Sequence, residues 1–158
     1  MFTPTPKKLD LSPHPSRVWG FTIIELILVV SIISILAVVT SSVGSSFLVR
    51  NATKNVTQQL ISDLRIAQLN SVSGKGDSSW GVKVGSNQLI LFKGSSFASR
   101  DQSLDEVASI PSSININDSE VVFQKLVGDS LPTTITVANN VGESINISVN
   151  EAGSVNVN

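Results

Sequence analysis

The sequence has no cysteine and only one histidine among its 158 residues. The absence of cysteine excludes disulfides, thiolate nucleophiles and metals bound by cysteine. The single histidine, His14, precedes the long apolar run, so the remainder has no imidazole for a Ser/His/Asp triad or a histidine metal site. These absences argue against the common kinds of hydrolase. We expect a protein without enzymatic activity, cofactor or metal.

Charge is also scarce, with 15% charged residues and a formal net charge of −1. Lys7, Lys8 and Arg17 stand near the start against Asp10, which leaves 8 basic and 11 acidic side chains in the rest of the chain. Nucleic-acid binding relies on clustered Lys and Arg that displace counterions from phosphates. The length fits one small domain, and the charge argues against nucleic acid as a partner.

What is present is an apolar run of 19 residues, 21–39. As a helix it would rise roughly 28 Å, close to the ~30 Å hydrocarbon core of a bilayer. The basic residues before it would keep the start of the chain in the cytoplasm and place the rest outside the inner membrane. We expect a membrane-spanning helix here. Its polar residues are Thr22, Glu25, Ser31 and Ser34.

Two ordinary interpretations leave part of this run unexplained. A secretory signal peptide has a shorter apolar core and a small-residue cleavage site, whereas this run is followed by TSSVGSS, without a clear A-x-A site. A plain membrane anchor accounts for the length and the charges. It gives no reason for Glu25 or for the junction between Gly20 and Phe21.

The basic leader, the spacing of Gly20, Phe21 and Glu25, and the apolar run together resemble the class III signal of the type IV filament superfamily. That superfamily comprises type IV pilins and type II secretion pseudopilins. In it, a prepilin peptidase cuts after the glycine, the new N-terminal residue is methylated, and a glutamate stands at the fifth mature position. The resemblance implies cleavage between Gly20 and Phe21, methylation of Phe21, and a role in assembly for Glu25.

A carboxylate within an apolar helix is costly to bury unless it is paired. Cleavage after Gly20 would create a positive amine on Phe21, and Glu25 of one subunit could pair with the amine of its neighbour. Glu25 would then set the register between packed helices. The sequence leaves open a simpler alternative, in which the Glu25 carboxylate reaches the membrane interface or is protonated.

The residues after this run predict an α+β fold. Apolar residues at helical spacing, from Val56 to Ala67, predict an amphipathic continuation of the helix. After the loop SGKGDSS, short runs with Val or Ile at every second position predict strands. The predicted fold is a long N-terminal helix, membrane-spanning in its first half and amphipathic in its second, packed on a small antiparallel β-sheet head, as in pilins. The predicted strands are WGVKV, QLILF, SSINI, EVVFQ, TTITVA, SINISV and SVNVN, with residues 94–110 as a connecting loop that has one short helical turn around residues 104–108.

The helix end LISDLRIAQLNSV and the strands after it also look like the head of the minor pseudopilin H and minor pilin T family. This second resemblance implies a minor subunit near a filament tip or priming complex. Transformation-linked members are expected to end their last hairpin with basic residues, whereas no Lys or Arg follows Lys125 here. DNA capture by that edge is therefore disfavoured. The matching positions are Leu60, Leu64, Arg65, Ala67, Phe123, Gly128 and Gly153.

Two further groups of residues have ordinary structural interpretations. Trp80, Phe92 and Phe97 could form an aromatic platform, but alternating strand positions favour the core for Trp80 and Phe92. Several carboxylates could include calcium ligands, yet no segment fits the D-x-[DN]-x-[DN]-G loop, which favours solvated carboxylates. These are Asp101, Asp105, Glu106, Asp118 and Glu120.

The sequence thus predicts a cytoplasmic leader over residues 1–20, a transmembrane and polymerisation helix over 21–39, an amphipathic continuation over 40–72 and a β-rich head over 73–158. The predicted function is a minor pseudopilin or pilin subunit of a type II secretion pseudopilus or a type IV pilus. Its partners would be prepilin peptidase, other subunits and the inner-membrane assembly platform. Its location would be the bacterial inner membrane, with a single pass and a periplasmic head. The alternatives are a DNA-binding minor pilin of natural transformation and an unprocessed membrane-anchored surface domain.

Overall fold

The computed structural model of the chain describes residues 20–85 and 87–158, and over residues 38–45 it describes the backbone alone. The chain divides into two units, Met1–Val39 and Thr40–Asn158. Apart from Gly20, the predicted leader lies outside the described residues.

The first element is a run of helical backbone, α1, over Ile23–Val72. Its side chains are described in two shorter helical stretches, residues 23–37 and residues 46–72. In the second stretch the predicted apolar stripe is buried, since Leu60 and Leu64 are 0% exposed and Val56 is 8% exposed. The stripe forms because its apolar residues recur every three or four positions and so share one face of the helix.

The prediction of a long helix that spans a membrane in its first half is wrong. In the part of the chain that the structure describes, no helix has both the length and the apolar character needed to cross a membrane. Residues 46–72 are amphipathic and bury one face in the protein. The structure thus has two short helical stretches with antiparallel sheets.

Two four-stranded antiparallel sheets follow the helix, where the sequence predicted one small sheet. The strands are β1 (Trp80–Gly85), β2 (Gln88–Lys93), β3 (Glu106–Ser109), β4 (Ile114–Ile116), β5 (Ser119–Phe123), β6 (Thr133–Asn139), β7 (Ser144–Val149) and β8 (Val155–Val157). The first sheet has the order β3-β2-β1-β5 and the second has the order β4-β6-β7-β8. The chain therefore leaves the second sheet for the first between β4 and β5, which alternation of apolar residues does not reveal.

The segment predicted as a loop over residues 94–110 contains strand β3. In the register of β2 and β3, Leu89 lies opposite Ala108 and Leu91 lies opposite Glu106. Two 3-10 turns, Phe97–Ser99 and Gln102–Leu104, precede the strand, in place of the predicted helical turn. β3 is a short edge strand, and its outward Val107 is 56% exposed, so its own residues carry little apolar alternation.

One apolar core joins the second stretch of α1 to both sheets. The helix stripe belongs to the same buried cluster as Val82 of the first sheet and Ile135 of the second. Trp80 is 4% exposed and Phe92 is 0% exposed, which confirms their interpretation as buried structural residues. Phe92 packs over Gly81, where a Cβ atom would lie 2.7 Å from the ring.

We expect Leu64→Ala to lower the free energy of unfolding by about 2–5 kcal/mol, because it leaves a cavity between the helix and the sheets. Urea unfolding followed by circular dichroism measures this change. Leu69→Ala is the matched control, since Leu69 lies on the same helix and is 67% exposed. Its effect should stay within about 0.5 kcal/mol. Equal losses in the two variants would contradict the described core.

Candidate functional site

The candidate site is the N-terminal end of α1, where Gly20, Phe21 and Glu25 lie close together in sequence. Thr22 caps the helix: its Oγ1 accepts a hydrogen bond from the Glu25 N–H at 3.3 Å, and its carbonyl accepts one from the Leu26 N–H at 3.1 Å. The spacing of Thr22 and Glu25 is that of a capping box. The backbone of Glu25 therefore takes part in capping the helix, a role that apolar periodicity does not reveal.

The Glu25 carboxylate stands in the first turn of α1, where the helix dipole favours a negative charge. Glu25 is exposed, and within the described residues its side chain has no ion pair or hydrogen bond. Burial of an unpaired carboxylate in apolar surroundings is strongly unfavourable. This group therefore needs either water or a cation from outside the described residues.

The junction between Gly20 and Phe21 is open to another protein. Phe21 is 84% exposed, and a Cβ atom built on Gly20 would have no other atom within 4 Å. Among the described residues, nothing crowds this position, so packing does not explain the glycine.

Residues 23–37 expose apolar side chains on every side of the helix, and each large apolar side chain is at least 44% exposed. The two serines of this stretch bond to the helix itself. Ser31 Oγ donates to the Ile27 carbonyl and Ser34 Oγ donates to the Val30 carbonyl, both at 2.7 Å. Glu25 is then the one described side chain of the stretch whose polar group has no partner in the helix.

The five carboxylates considered as calcium ligands do not converge on one point. Among the residues that the structure describes, no group of three His, Cys, Asp or Glu side chains is placed to hold a metal ion. Four of the five have separate partners and the fifth is exposed. The partners are Lys83 for Asp118, Arg100 for Asp105, Ser103 for Asp101 and the Phe97 N–H for Glu120, and the exposed one is Glu106.

A buried carboxylate, Asp63, lies where helical spacing predicted a polar face. It is 7% exposed, and its Oδ1 accepts a hydrogen bond from Gln59 Nε2 at 2.7 Å. Burial is the main cause that raises the pKa of Asp63 above 3.8; the Gln59 hydrogen bond lowers it, and the negative charge of Glu106 raises it further. Asp63 directly precedes Leu64 at the border of the apolar stripe, where packing of the helix buries it together with the stripe.

We expect Asp63→Asn to raise stability at neutral pH. An acid whose pKa is raised in the folded state contributes stability fully below its unfolded pKa and loses that contribution as the pH rises through the folded pKa. The advantage of the variant should therefore shrink as the pH falls from neutral toward 3.8. Urea midpoints across this range measure it, with the exposed Glu151→Gln as a control for the loss of one negative charge. A constant difference at all pH values would contradict the assignment.

Comparisons with known proteins identify no relative of this chain. A scan of protein-family models and searches of curated proteins and of solved structures found no match. The function is therefore inferred from the residues at the start of α1 and their surroundings.

Proposed function

We propose that the protein is a minor pseudopilin or pilin subunit, cut between Gly20 and Phe21 by a prepilin peptidase and methylated on Phe21. It assembles through the helix that begins at Ile23 into a type II secretion pseudopilus or a type IV pilus. The observation that carries the proposal is the first stretch of α1, which is apolar on every side and exposed, with one carboxylate at its start.

The exposed apolar side chains of this stretch need another apolar surface to pack against. Full burial of one Leu, Ile or Val side chain is worth roughly 1.5–3 kcal/mol, and monomeric soluble proteins rarely expose large contiguous apolar patches. A helix that is apolar all round is typical of a buried helix. Side-by-side packing of equivalent helices supplies that burial. The internal hydrogen bonds of Ser31 and Ser34 suit it, because these hydroxyls need no water once covered.

The same packing explains the isolated carboxylate. Cleavage after Gly20 leaves a positive amine on Phe21, four residues before Glu25. Burial of an unpaired charge carries an effective penalty of several kcal/mol, so a helix that brings Glu25 to the amine of a neighbouring subunit is favoured over other registers. Glu25 then selects the register of assembly and takes no part in bond chemistry.

The accessible junction supports processing. An exposed Gly20, with no described residue close to its Cα position, suits entry into the active site of a peptidase. The partners in this proposal are prepilin peptidase, other filament subunits and the inner-membrane assembly platform. The bacterial inner membrane, with the head on its outer side, remains a prediction that cell fractionation tests.

We expect the intact mass of the protein to fall by residues 1–20 and rise by one methyl group when it is coexpressed with an active prepilin peptidase. Gly20→Val should abolish the change, because a branched side chain fills the position next to the cleaved bond. Its unfolding free energy should stay within about 0.5 kcal/mol of the parent, since nothing in the fold contacts that position. An unchanged mass of the parent protein would reject the proposal in favour of an unprocessed domain.

We expect Glu25→Gln to be processed normally and yet to fail in assembly, with at least about a tenfold loss of filaments or secretion if one paired charge is lost. Glutamine has nearly the same shape as glutamate, and Thr22 still caps the backbone N–H of residue 25, so this change separates the charge from the local helix cap. Glu143→Gln in the head is the matched control. Normal assembly of the Glu25 variant would contradict the register role.

A further inference from the structure

β5 has a paired strand on one side only. It is an edge strand of the first sheet, next to β1. In an antiparallel ladder, the backbone groups of successive residues point to alternate sides. The bond from the Gly94 N–H to the Ser79 carbonyl, at 2.9 Å, fixes which residues of β1 face β2. By the register of β1 with β5, the backbone N–H and C=O groups of Glu120 and Val122 then point away from the sheet.

A groove of about 410 Å³ lies beside β5, and its lining extends to Ser79, just before β1. β5 itself supplies Glu120 and Val122 to its lining, and Ser95, Ser130 and Leu131 complete much of it. Leu131 is 83% exposed, so an apolar side chain stands uncovered beside unpaired backbone groups. An exposed apolar side chain and a free strand edge together suit an extended polypeptide better than a compact small molecule.

Close to this edge, the protein already places a side-chain amide against a strand. Where β4 ends, Asn117 Oδ1 accepts a hydrogen bond from the Thr136 N–H at 2.6 Å, and Asn117 Nδ2 donates to the Thr134 carbonyl at 3.2 Å. A carboxamide carries the same kinds of donor and acceptor as a peptide group. The Asn117 side chain thus forms hydrogen bonds with β6 that a neighbouring strand would otherwise form. β5 begins two residues later, and its outer edge is open.

The charge at this edge is negative. Glu120 Oε1 accepts a hydrogen bond from the Phe97 N–H at 2.8 Å, and no cation of the described residues forms an ion pair with Glu120. Lys83 lies directly opposite Glu120 in the ladder of β1 with β5, but it forms its ion pair with the neighbouring acid Asp118, so one positive charge faces two acids here. Opposite charges on adjacent strands stabilise their pairing. A strand that adds to β5 is therefore favoured when it carries Lys or Arg beside Glu120.

We propose that the groove along β5 binds an extended segment of another protein, which adds as a strand to the outer edge of β5 and places a basic residue beside Glu120. This inference rests on the head alone and does not depend on filament assembly.

Reversible disulfide tethering tests it, because the chain has no cysteine of its own. The full-length Leu131→Cys variant, in detergent micelles, is equilibrated in a glutathione buffer with the peptide Cys-Gly-Lys-Val-Thr-Val-Thr. Two methylated isomers of the peptide are compared. One carries N-methyl groups on every second backbone nitrogen, and the other carries them on the nitrogens in between. Intact mass gives the equilibrium constant for each mixed disulfide.

Strand addition uses only one alternate set of peptide N–H groups, so one methylated isomer should lose at least about tenfold in its constant while the other stays within about threefold of the parent. Replacing the peptide Lys by Glu should lower the constant by at least about threefold, and Glu120→Gln should remove that difference. The Leu104→Cys variant is the matched control, because Leu104 is 44% exposed and lies outside the groove lining. All peptides should give similar equilibrium constants with the Leu104→Cys variant.

Equal constants for the two methylated isomers at Leu131→Cys overturn the proposal. A preference for Lys over Glu without a difference between the isomers also overturns it, since it shows charge attraction without strand pairing.

Discussion

Burial of one face of the second stretch of α1 is the interaction on which both sheets depend. A sheet with one apolar face needs a layer to cover it, and the stripe that contains Leu60, Leu64 and Ala67 belongs to the core of both sheets. The side chains of this stripe are fully buried, so each contributes packing as well as removal from water. The two sheets share one core because they share this helix face.

The first stretch of α1 has the opposite arrangement of side chains. There the apolar side chains lie on all sides of the helix and are exposed, while the polar hydroxyls bond back to the helix. Covering this surface requires molecules other than the described part of the chain. This contrast within one run of helical backbone, together with the unpaired carboxylate of Glu25, supports the proposal that the protein functions through association of helices.

Much of the fold follows from local periodicity. Alternating residues located β1 and β2 and helical spacing located the buried stripe, because both patterns are set by neighbours in sequence. β3 and the burial of Asp63 escaped prediction, since β3 depends on a distant pairing with β2 and burial depends on how the helix packs in three dimensions. The open edge of β5 escaped for the same reason, because an edge is a property of strand order. For the candidate site, spacing identified Gly20, Phe21 and Glu25. The Thr22 cap was missed, although a Thr with a Glu three residues later before an apolar run is a sequence signature of a helix start.

Ser71, in the last turn of α1, joins the helix to two other elements. Its Oγ accepts a hydrogen bond from the Trp80 N–H at 2.8 Å, and its carbonyl accepts one from the Leu126 N–H at 2.8 Å. Tension along the second stretch of α1 therefore reaches β1 and the segment after β5 directly, without first straightening the loop between the helix and β1. Several weak bonds share the load, each worth about 1 kcal/mol. The end of the helix thus acts as a mechanical coupling.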